Sequence, residues 1–159
     1  MFIIVEGPDG AGKSTLVDQL IRQFPFATRL HFGAPTDDKP RYQVYHKEIL
    51  RASRISMVTI MDRSWYSDLV YAPIMRGQTE LTIAEAHDLD RTVRMAGGGL
   101  IVYCTADIDL LWSRCQSRGE TYIPDKNTLE RISIGYQTLM LTPLLPVIKH
   151  NTNTLGRSI

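Results

Sequence analysis

Eight residues near the start of the chain carry the strongest chemical signal. Gly7-Pro8-Asp9-Gly10-Ala11-Gly12-Lys13-Ser14 satisfies the pattern G-x-x-x-x-G-K-[ST]. Its glycines let consecutive backbone N–H groups turn inward around phosphate oxygens. A helix that opens directly after the loop adds partial positive charge at its N-terminus. In this pattern Lys13 reaches the β- and γ-phosphates, and the Ser14 hydroxyl ligates Mg²⁺. The spacing predicts a nucleoside triphosphate site whose contacts are Gly7, Asp9, Gly10, Ala11, Gly12, Lys13, Ser14 and Thr15.

Such a loop says what is bound, not what is done with it. A small-molecule kinase, a GTPase switch and a motor or assembly ATPase all use it. A guanine-reading N/T-K-x-D motif is absent downstream. A motor usually needs a longer chain and an acidic pair closing its third strand, whereas here the third apolar run closes on Asp62-Arg63-Ser64. In an open parallel sheet, ligands bind at the carboxyl ends of the strands. An arginine there suits a second phosphorylated group, the acceptor; the bland alternative is a surface ion pair.

Several elements are needed to hold these residues. Phe2–Val5 is a short apolar run, as expected of a buried parallel strand. Leu16, Val17, Leu20, Ile21 and Phe24 recur at helical spacing over 14–24, and Pro25 stops that helix. Residues 28–32 read as a second strand, 33–40 as a loop, 41–54 as a helix and 57–61 as a third strand. A helix is expected from about Tyr66. Thr82 and Glu85 have capping-box spacing for the next helix, which ends at Gly97-Gly98-Gly99. Leu100–Cys104 is a fourth strand, and Asp107 can cap the helix that Gly119 ends. Asn127 and Glu130 repeat the capping spacing, and 146–150 reads as a fifth, edge strand. Strands alternating with helices imply a parallel α/β sheet.

The chain has 159 residues, 43% hydrophobic and 22% charged, which fits one domain spanning 1–159 and excludes wholesale disorder. Eighteen basic and 17 acidic residues give a net charge of +1. That near-neutrality argues against a nucleic-acid polymer as substrate and against a membrane partner. Met1–Glu6 lacks the basic start and full apolar core of a signal peptide, so a cytoplasmic location is expected. Cys104 and Cys115 read as reduced packing residues. His46, His87 and His150 show no metal spacing.

Glu6–Thr15 resembles the E-G-x-D-G-A-G-K-S-T start of thymidylate kinases, including the aspartate inside the loop. Asp62-Arg63-Ser64-Trp65-Tyr66-Ser67-Asp68-Leu69-Val70-Tyr71 resembles that family's D-R-Y-x-x-S-x-x-A-Y block. Arg76-Gly77 falls where the family often has R-G, and Arg114–Gly119 is similar to the R-x-x-x-R-G of its lid. The resemblance implies a P-loop kinase fold with a five-stranded parallel sheet, helices on both faces and a short lid at about 118–127. It implies ATP with Mg²⁺ as donor and a nucleoside monophosphate as acceptor, dTMP or a related pyrimidine nucleotide. Asp9 would then bind the acceptor sugar, Arg63 and Arg76 the acceptor phosphate, and Arg114 and Arg118 the transferred group. Ser67 and Tyr71 fall on the substrate side of the same block. Members are commonly dimers, so a homodimer is open.

The chain departs from the pattern in three places. Ser64 replaces the usual aromatic, and the Arg-Ser pair is closer to deoxynucleoside kinases. His31-Phe32-Gly33-Ala34-Pro35-Thr36 lacks the family's R-E-P-G segment. The clipped length and lid look like compact kinases of bacteriophages. A deoxynucleoside, or a hydroxymethylated pyrimidine free or within DNA, stays open as acceptor, as does a non-enzymatic ATP-binding regulator.

Phosphoryl transfer asks mainly for in-line positioning and positive charge. Lys13, Arg63 and the lid arginines would supply that charge. Arg114 and Arg118, one helical turn apart, face the same way, which an anion between them would favour; a solvated helix face is the alternative. Asp9 is the carboxylate placed to serve a hydroxyl acceptor. Asp62 would support Mg²⁺ through water, or else cap the following helix. His31 is a candidate acceptor contact. Trp65, Tyr66, Tyr71, Phe32 and Tyr42 could each stack on a base, although packing is their ordinary role.

Overall fold

Phe2–Glu6 (β1) is buried at every residue, which explains its uninterrupted apolar run. It lies at the centre of a five-stranded sheet in a computed structural model that describes residues 1–35 and 39–154. The other strands are Thr28–His31 (β2), Thr59–Asp62 (β3), Gly99–Thr105 (β4) and Val147–Asn151 (β5). Their order is β2-β3-β1-β4-β5, with every pair parallel. The register sets Val5 beside Asp62 and His31 beside Asp62, so His31, Asp62 and Glu6 gather at the carboxyl ends.

The helices are Lys13–Gln23 (α1), Arg41–Ile55 (α2), Trp65–Met75 (α3), Ile83–Met95 (α4), Ile108–Ser117 (α5) and Lys126–Leu139 (α6). They cover both faces of the sheet, the doubly wound α/β arrangement expected from the alternation. α2 packs on α4, and α6 packs on α3 and α5. The core takes Ile4, Ile60, Met61 and Ile101 from the strands and Val17, Ile49, Leu89, Leu111 and Leu129 from the helices. The two cysteines are free and buried. Among the described residues no helix is long and apolar enough to cross a membrane.

The capping box at α4 forms as the spacing predicts: Thr82 accepts from the Glu85 N–H, and Glu85 accepts from the Thr82 N–H. Three local expectations need correction. β3 starts at Thr59 rather than Met57: Met57 is 90% exposed, and the paired registers with β1 and β2 both begin at Thr59. Asp107 stands at the start of α5 but makes no side-chain cap; its own N–H is taken by Asn153 Oδ1. The cap of α6 lies two residues before Asn127, because Asp125 Oδ1 already accepts the Thr128 N–H at 2.7 Å, and the helix starts at Lys126. Of the loop read over 33–40, residues 36–38 lie outside the described residues.

Candidate active site

The phosphate loop joins β1 to α1. Gly7 has φ 142°, and a Cβ there would lie 2.2 Å from the Cys104 carbonyl oxygen; at Gly10, φ 78°, it would lie 2.5 Å from that of Leu111. The loop is thus seated on β4 and α5 at a closeness that only glycine permits. Gly12, also left-handed, opens α1 at Lys13. The N–H groups of the first turn of α1 have no intrahelical partner and are free for an anion. Lys13 is buried, its Nζ donating to the Pro8 carbonyl at 2.6 Å and lying 3.9 Å from Asp9 Oδ1. Burial, then the charge of Arg63, pushes its ammonium down to about 8. A phosphate beside it would relieve both effects.

Arg63 follows β3 and is the one non-glycine residue with positive φ among those described, at 70°. Such a conformation costs about 1–3 kcal/mol and needs support from its surroundings. Its N–H donates to the Val5 carbonyl at 3.0 Å, and the next residue is held by Glu6. Glu6 is fully buried: Oε1 accepts from Ser64 N at 2.6 Å, Ser64 Oγ at 2.6 Å and Ser67 N at 3.3 Å. Its Oε2 accepts from Ser67 Oγ at 2.8 Å and Tyr136 OH at 2.9 Å. The end of β1 therefore holds the start of α3 and aims Arg63.

The Arg63 guanidinium lies 5.0 Å over the Tyr71 ring and donates to Asp9 Oδ1. Tyr71 OH donates to Asp9 Oδ2 at 3.1 Å. Burial pushes the Asp9 carboxyl up, but Lys13 and Arg63 together outweigh it and hold the carboxyl below its ordinary value. Asp62 is buried beside the loop, and its Oδ2 faces His31 Nδ1 at 3.0 Å and Arg29 Nη2 at 3.4 Å.

Two cavities meet here. The larger, about 530 Å³, is walled by Phe32, Tyr45, Tyr71 and Tyr122, with Arg63, Ser67, Asp68 and Arg76 among its polar lining. Residues 118–122, after α5, form one side of it. The smaller, about 140 Å³, is lined by the phosphate loop with Lys13, Ser14, His31 and Asp62. Asp9, Arg63, Arg118 and Glu120 line both. Arg118 is partly exposed, with Nη1 3.6 Å from Glu120 Oε1. A group transferred between the cavities would pass these four side chains.

The structure brings Asp9, Arg63, Ser67, Tyr71, Arg76 and Arg118 to one cavity, and Lys13, Ser14 and Asp62 to the other. His31 joins the phosphate-loop side rather than the larger cavity. Arg76 sits beside Asp68, with Nη2 3.9 Å from Oδ1. Arg114 turns away from both cavities: it donates to the Gly10 carbonyl at 3.1 Å and to Thr152 Oγ1 and O at 2.9 Å. It grips the phosphate loop from behind, and the pairing with Arg118 on one helical turn does not carry through, because α5 ends between them. Trp65 and Tyr66 are buried on Asp90, and Tyr42 bonds Asp88, so these three pack.

Sequence reasoning missed one cluster. Arg41 Nε donates to Asp68 Oδ2 at 2.7 Å, Tyr45 OH donates to the same oxygen at 2.8 Å, and Arg41 Nη2 donates to Tyr45 OH at 2.9 Å. The signal was an arginine heading the buried stripe Arg41, Tyr45, Ile49, Ala52 of α2. A buried arginine implies a buried acid.

Comparisons with known proteins bear on the fold and the family. The family model described as Polyphosphate kinase 2 (PPK2) matches residues 1–100. No curated protein matches. Among solved structures, YorR from Bacillus subtilis, in complex with phosphorylated GDP, superposes with TM-score 0.77 at 23% identity, covering 98% of this chain and 88% of that one. Polyphosphate kinase 2 from Arthrobacter aurescens gives 0.69 at 18% identity, covering 94% of this chain and 59% of the other. Deoxyadenosine kinase from M. mycoides with dCMP and dCDP gives 0.58 at 15% identity, covering 94% and 90%. These likenesses establish the P-loop kinase fold. With the family match spanning well over half its length, the chain belongs to the polyphosphate kinase 2 family and is a nucleotide kinase.

Proposed function

We propose that the chain transfers the terminal phosphoryl group of Mg²⁺-bound ATP to the phosphate of a (deoxy)nucleoside monophosphate. The observation that carries this reading is the junction of the two cavities, where Arg63 and Arg118 stand between the phosphate cradle and the larger cavity. Lys13 and the loop N–H groups hold the donor, and Arg63 takes the acceptor phosphate. Arg118, on a lid that the structure ends at the Asp125 cap of α6 rather than at 127, neutralises charge that develops in transfer. The Ser14 hydroxyl, with Asp62 through water, would hold Mg²⁺; these oxygen donors suit it, and it would supply charge neutralisation on the donor phosphates. Among the described residues there is no cluster of three or more His, Cys, Asp or Glu to hold a metal, in keeping with a cation held largely by phosphates.

The state of Asp9 favours a phosphate acceptor over a hydroxyl. A hydroxyl benefits from a general base, and Asp9 is tied to Arg63 and Tyr71 with its carboxyl held low, a poor base. A phosphate oxygen is already anionic and needs none. The resemblance of Glu6–Thr15 and Asp62–Tyr71 to thymidylate kinases supports dTMP or a related pyrimidine nucleotide. The family match favours a second reading of the donor alone, inorganic polyphosphate in place of ATP. The cradle suits either, since Lys13, Ser14 and the loop grip phosphate rather than a base.

The test is a matrix of labelled ATP and short-chain polyphosphate against nucleosides, nucleoside monophosphates and hydroxymethylated DNA. Nucleoside diphosphate as product supports the reading. A monophosphate formed from a nucleoside, or labelled DNA, overturns it.

A further inference from the structure

The end of the molecule opposite the two cavities carries exposed apolar side chains in one place. Every strand is parallel, so the turns that enter the strands gather at one end and the phosphate loop at the other. Phe26 precedes β2, Ile55 and Met57 precede β3, and Met95 closes α4 before β4. Their exposures are 96%, 60%, 90% and 90%. The turns are joined to one another. Ser56 Oγ donates to the Phe26 carbonyl at 3.2 Å, Met1 N to the Met57 carbonyl at 2.6 Å, and Phe2 N to the Gly98 carbonyl at 2.8 Å. These side chains therefore belong to one rim, unlike the single exposed apolar residues common on any surface.

The charges at this end are of one sign. Segments 20–28, 51–59, 91–99 and 139–147 contain no Asp or Glu. Arg22, Arg54 and Arg94 stand in the last turns of α1, α2 and α4. All three are exposed and make no ion pair among the described residues. Arg51, further back on α2, is held by Glu48 at 2.8 Å. A helix dipole accounts for a cation at a helix end. It does not account for Phe26, Met57 and Met95 standing in water among those cations. The net charge of +1 averages over this segregation, so the expectation it gives against a membrane partner does not extend to this end.

We propose that this end docks on an anionic lipid bilayer, with Arg22, Arg54 and Arg94 on the headgroups and Phe26, Ile55, Met57 and Met95 in the acyl boundary. A groove of about 370 Å³ on α2 continues the same chemistry, with Leu50 and Ile55 flanked by Lys47, Arg51 and Arg54. A bilayer of anionic lipid answers both halves of the surface at once, charge and apolar area. A second copy related by a two-fold axis would set the same acid-free surface against itself. A nucleic acid would take the arginines and leave Met57 and Met95 in water. Docking by this end keeps the phosphate loop, both cavities and the 118–122 segment facing the aqueous side.

The test is co-sedimentation of the full chain with vesicles of phosphatidylcholine alone and of an equimolar mixture with phosphatidylglycerol. The protein is expected on the mixed vesicles, not on phosphatidylcholine alone, and its partitioning falls as salt rises. Each arginine near such a surface is worth about a factor of five, so the triple variant Arg22→Gln, Arg54→Gln, Arg94→Gln should bind about a hundredfold more weakly. Phe26→Ser with Met57→Ser should weaken binding about tenfold or more without lowering the melting temperature, since neither side chain builds core. Phosphoryl transfer by vesicle-bound protein should match that in solution. Should a variant not fold, the lipid and salt dependence of the wild type decides. Absence from the mixed vesicles at low salt, or equal binding to both compositions, overturns the proposal. Loss with the arginine variant but not with Phe26→Ser, Met57→Ser would show attraction of any polyanion, an acidic protein included, and overturns it too. Self-association in lipid-free sedimentation that Phe26→Ser abolishes would give the surface to a second copy. A fall in transfer on docking would turn the cavities toward the bilayer and overturn the orientation.

Discussion

Glu6→Gln is the substitution whose consequence can be worked most fully from the structure. The side chain keeps its shape, so the packing around β1 is unchanged. The carbonyl oxygen must occupy the Oε1 position, because two of the three donors there, Ser64 N and Ser67 N, are backbone groups that cannot reverse. The amide NH₂ then falls at Oε2 and meets two hydroxyls, Ser67 Oγ and Tyr136 OH, which must turn from donors into acceptors. These two lie 2.8 Å apart and share a proton between them, so only one can donate along that line. The change converts three charge-assisted bonds into neutral ones and reorders two more. Charge-assisted bonds are worth about twice neutral ones, near 1 kcal/mol more each, and losing a buried charge gives part of that back. A net loss of about 2 kcal/mol is expected, a fall in Tm of about 4–8 °C for a chain of this size. Ser64, the residue after the strained backbone of Arg63, is held by this network, so kcat/KM for the acceptor should fall about tenfold more than the stability change alone explains. Urea unfolding beside an acceptor titration measures both. A stability change under about 0.5 kcal/mol with unaltered kcat/KM would refute the idea that Glu6 sets the geometry of Arg63.

Arg63→Ala should raise KM for the acceptor monophosphate at least thirtyfold, since a charge-assisted contact in a closed site is worth about 2–4 kcal/mol, while ATP affinity barely changes. Equal loss on both substrates would move Arg63 to the donor. Arg118→Ala should slow single-turnover transfer by about a hundredfold with little effect on ATP binding, and an unchanged rate would leave the arginine as a solvated helix end. The buried Lys13 ammonium, pushed down to about 8, binds donor phosphate only when protonated. Donor KM should therefore be flat below about pH 7 and rise toward tenfold per pH unit above about 8, and Lys13→Arg, which stays charged, should abolish that rise. A donor KM independent of pH from 6 to 10 would contradict the burial argument.

What could be read from the sequence follows from how local each feature is. The phosphate loop is a contiguous motif between a strand and a helix, so its residues and their packing were legible in order. The Thr82–Glu85 cap is equally local and forms as spaced. Asp62 and Arg63 were legible because the end of a strand predicts a place even without a partner. The Arg41–Asp68–Tyr45 cluster was not, since its members meet across 27 and 23 residues of sequence, through the packing of α2 on α3. Glu6 shows the same limit: its place in a motif was visible, but its partners lie 58 to 130 residues away. The orientation of Arg114 was settled by Thr152, a residue with no signature of its own. At Asp125 and Asn127 two competent caps stand close together, and spacing alone could not choose between them.

The most direct test of the account compares phosphoryl transfer by the wild-type protein and by Lys13→Ala, with labelled donor and a nucleoside monophosphate acceptor, each beside a thermal melt. Lys13 sits in the phosphate loop and contributes little apolar core, so the variant should melt near the wild type. The account predicts labelled nucleoside diphosphate from the wild type and none above background from the variant. Near-normal transfer by a folded Lys13→Ala protein would place the chemistry outside the phosphate cradle and contradict the assignment of both cavities.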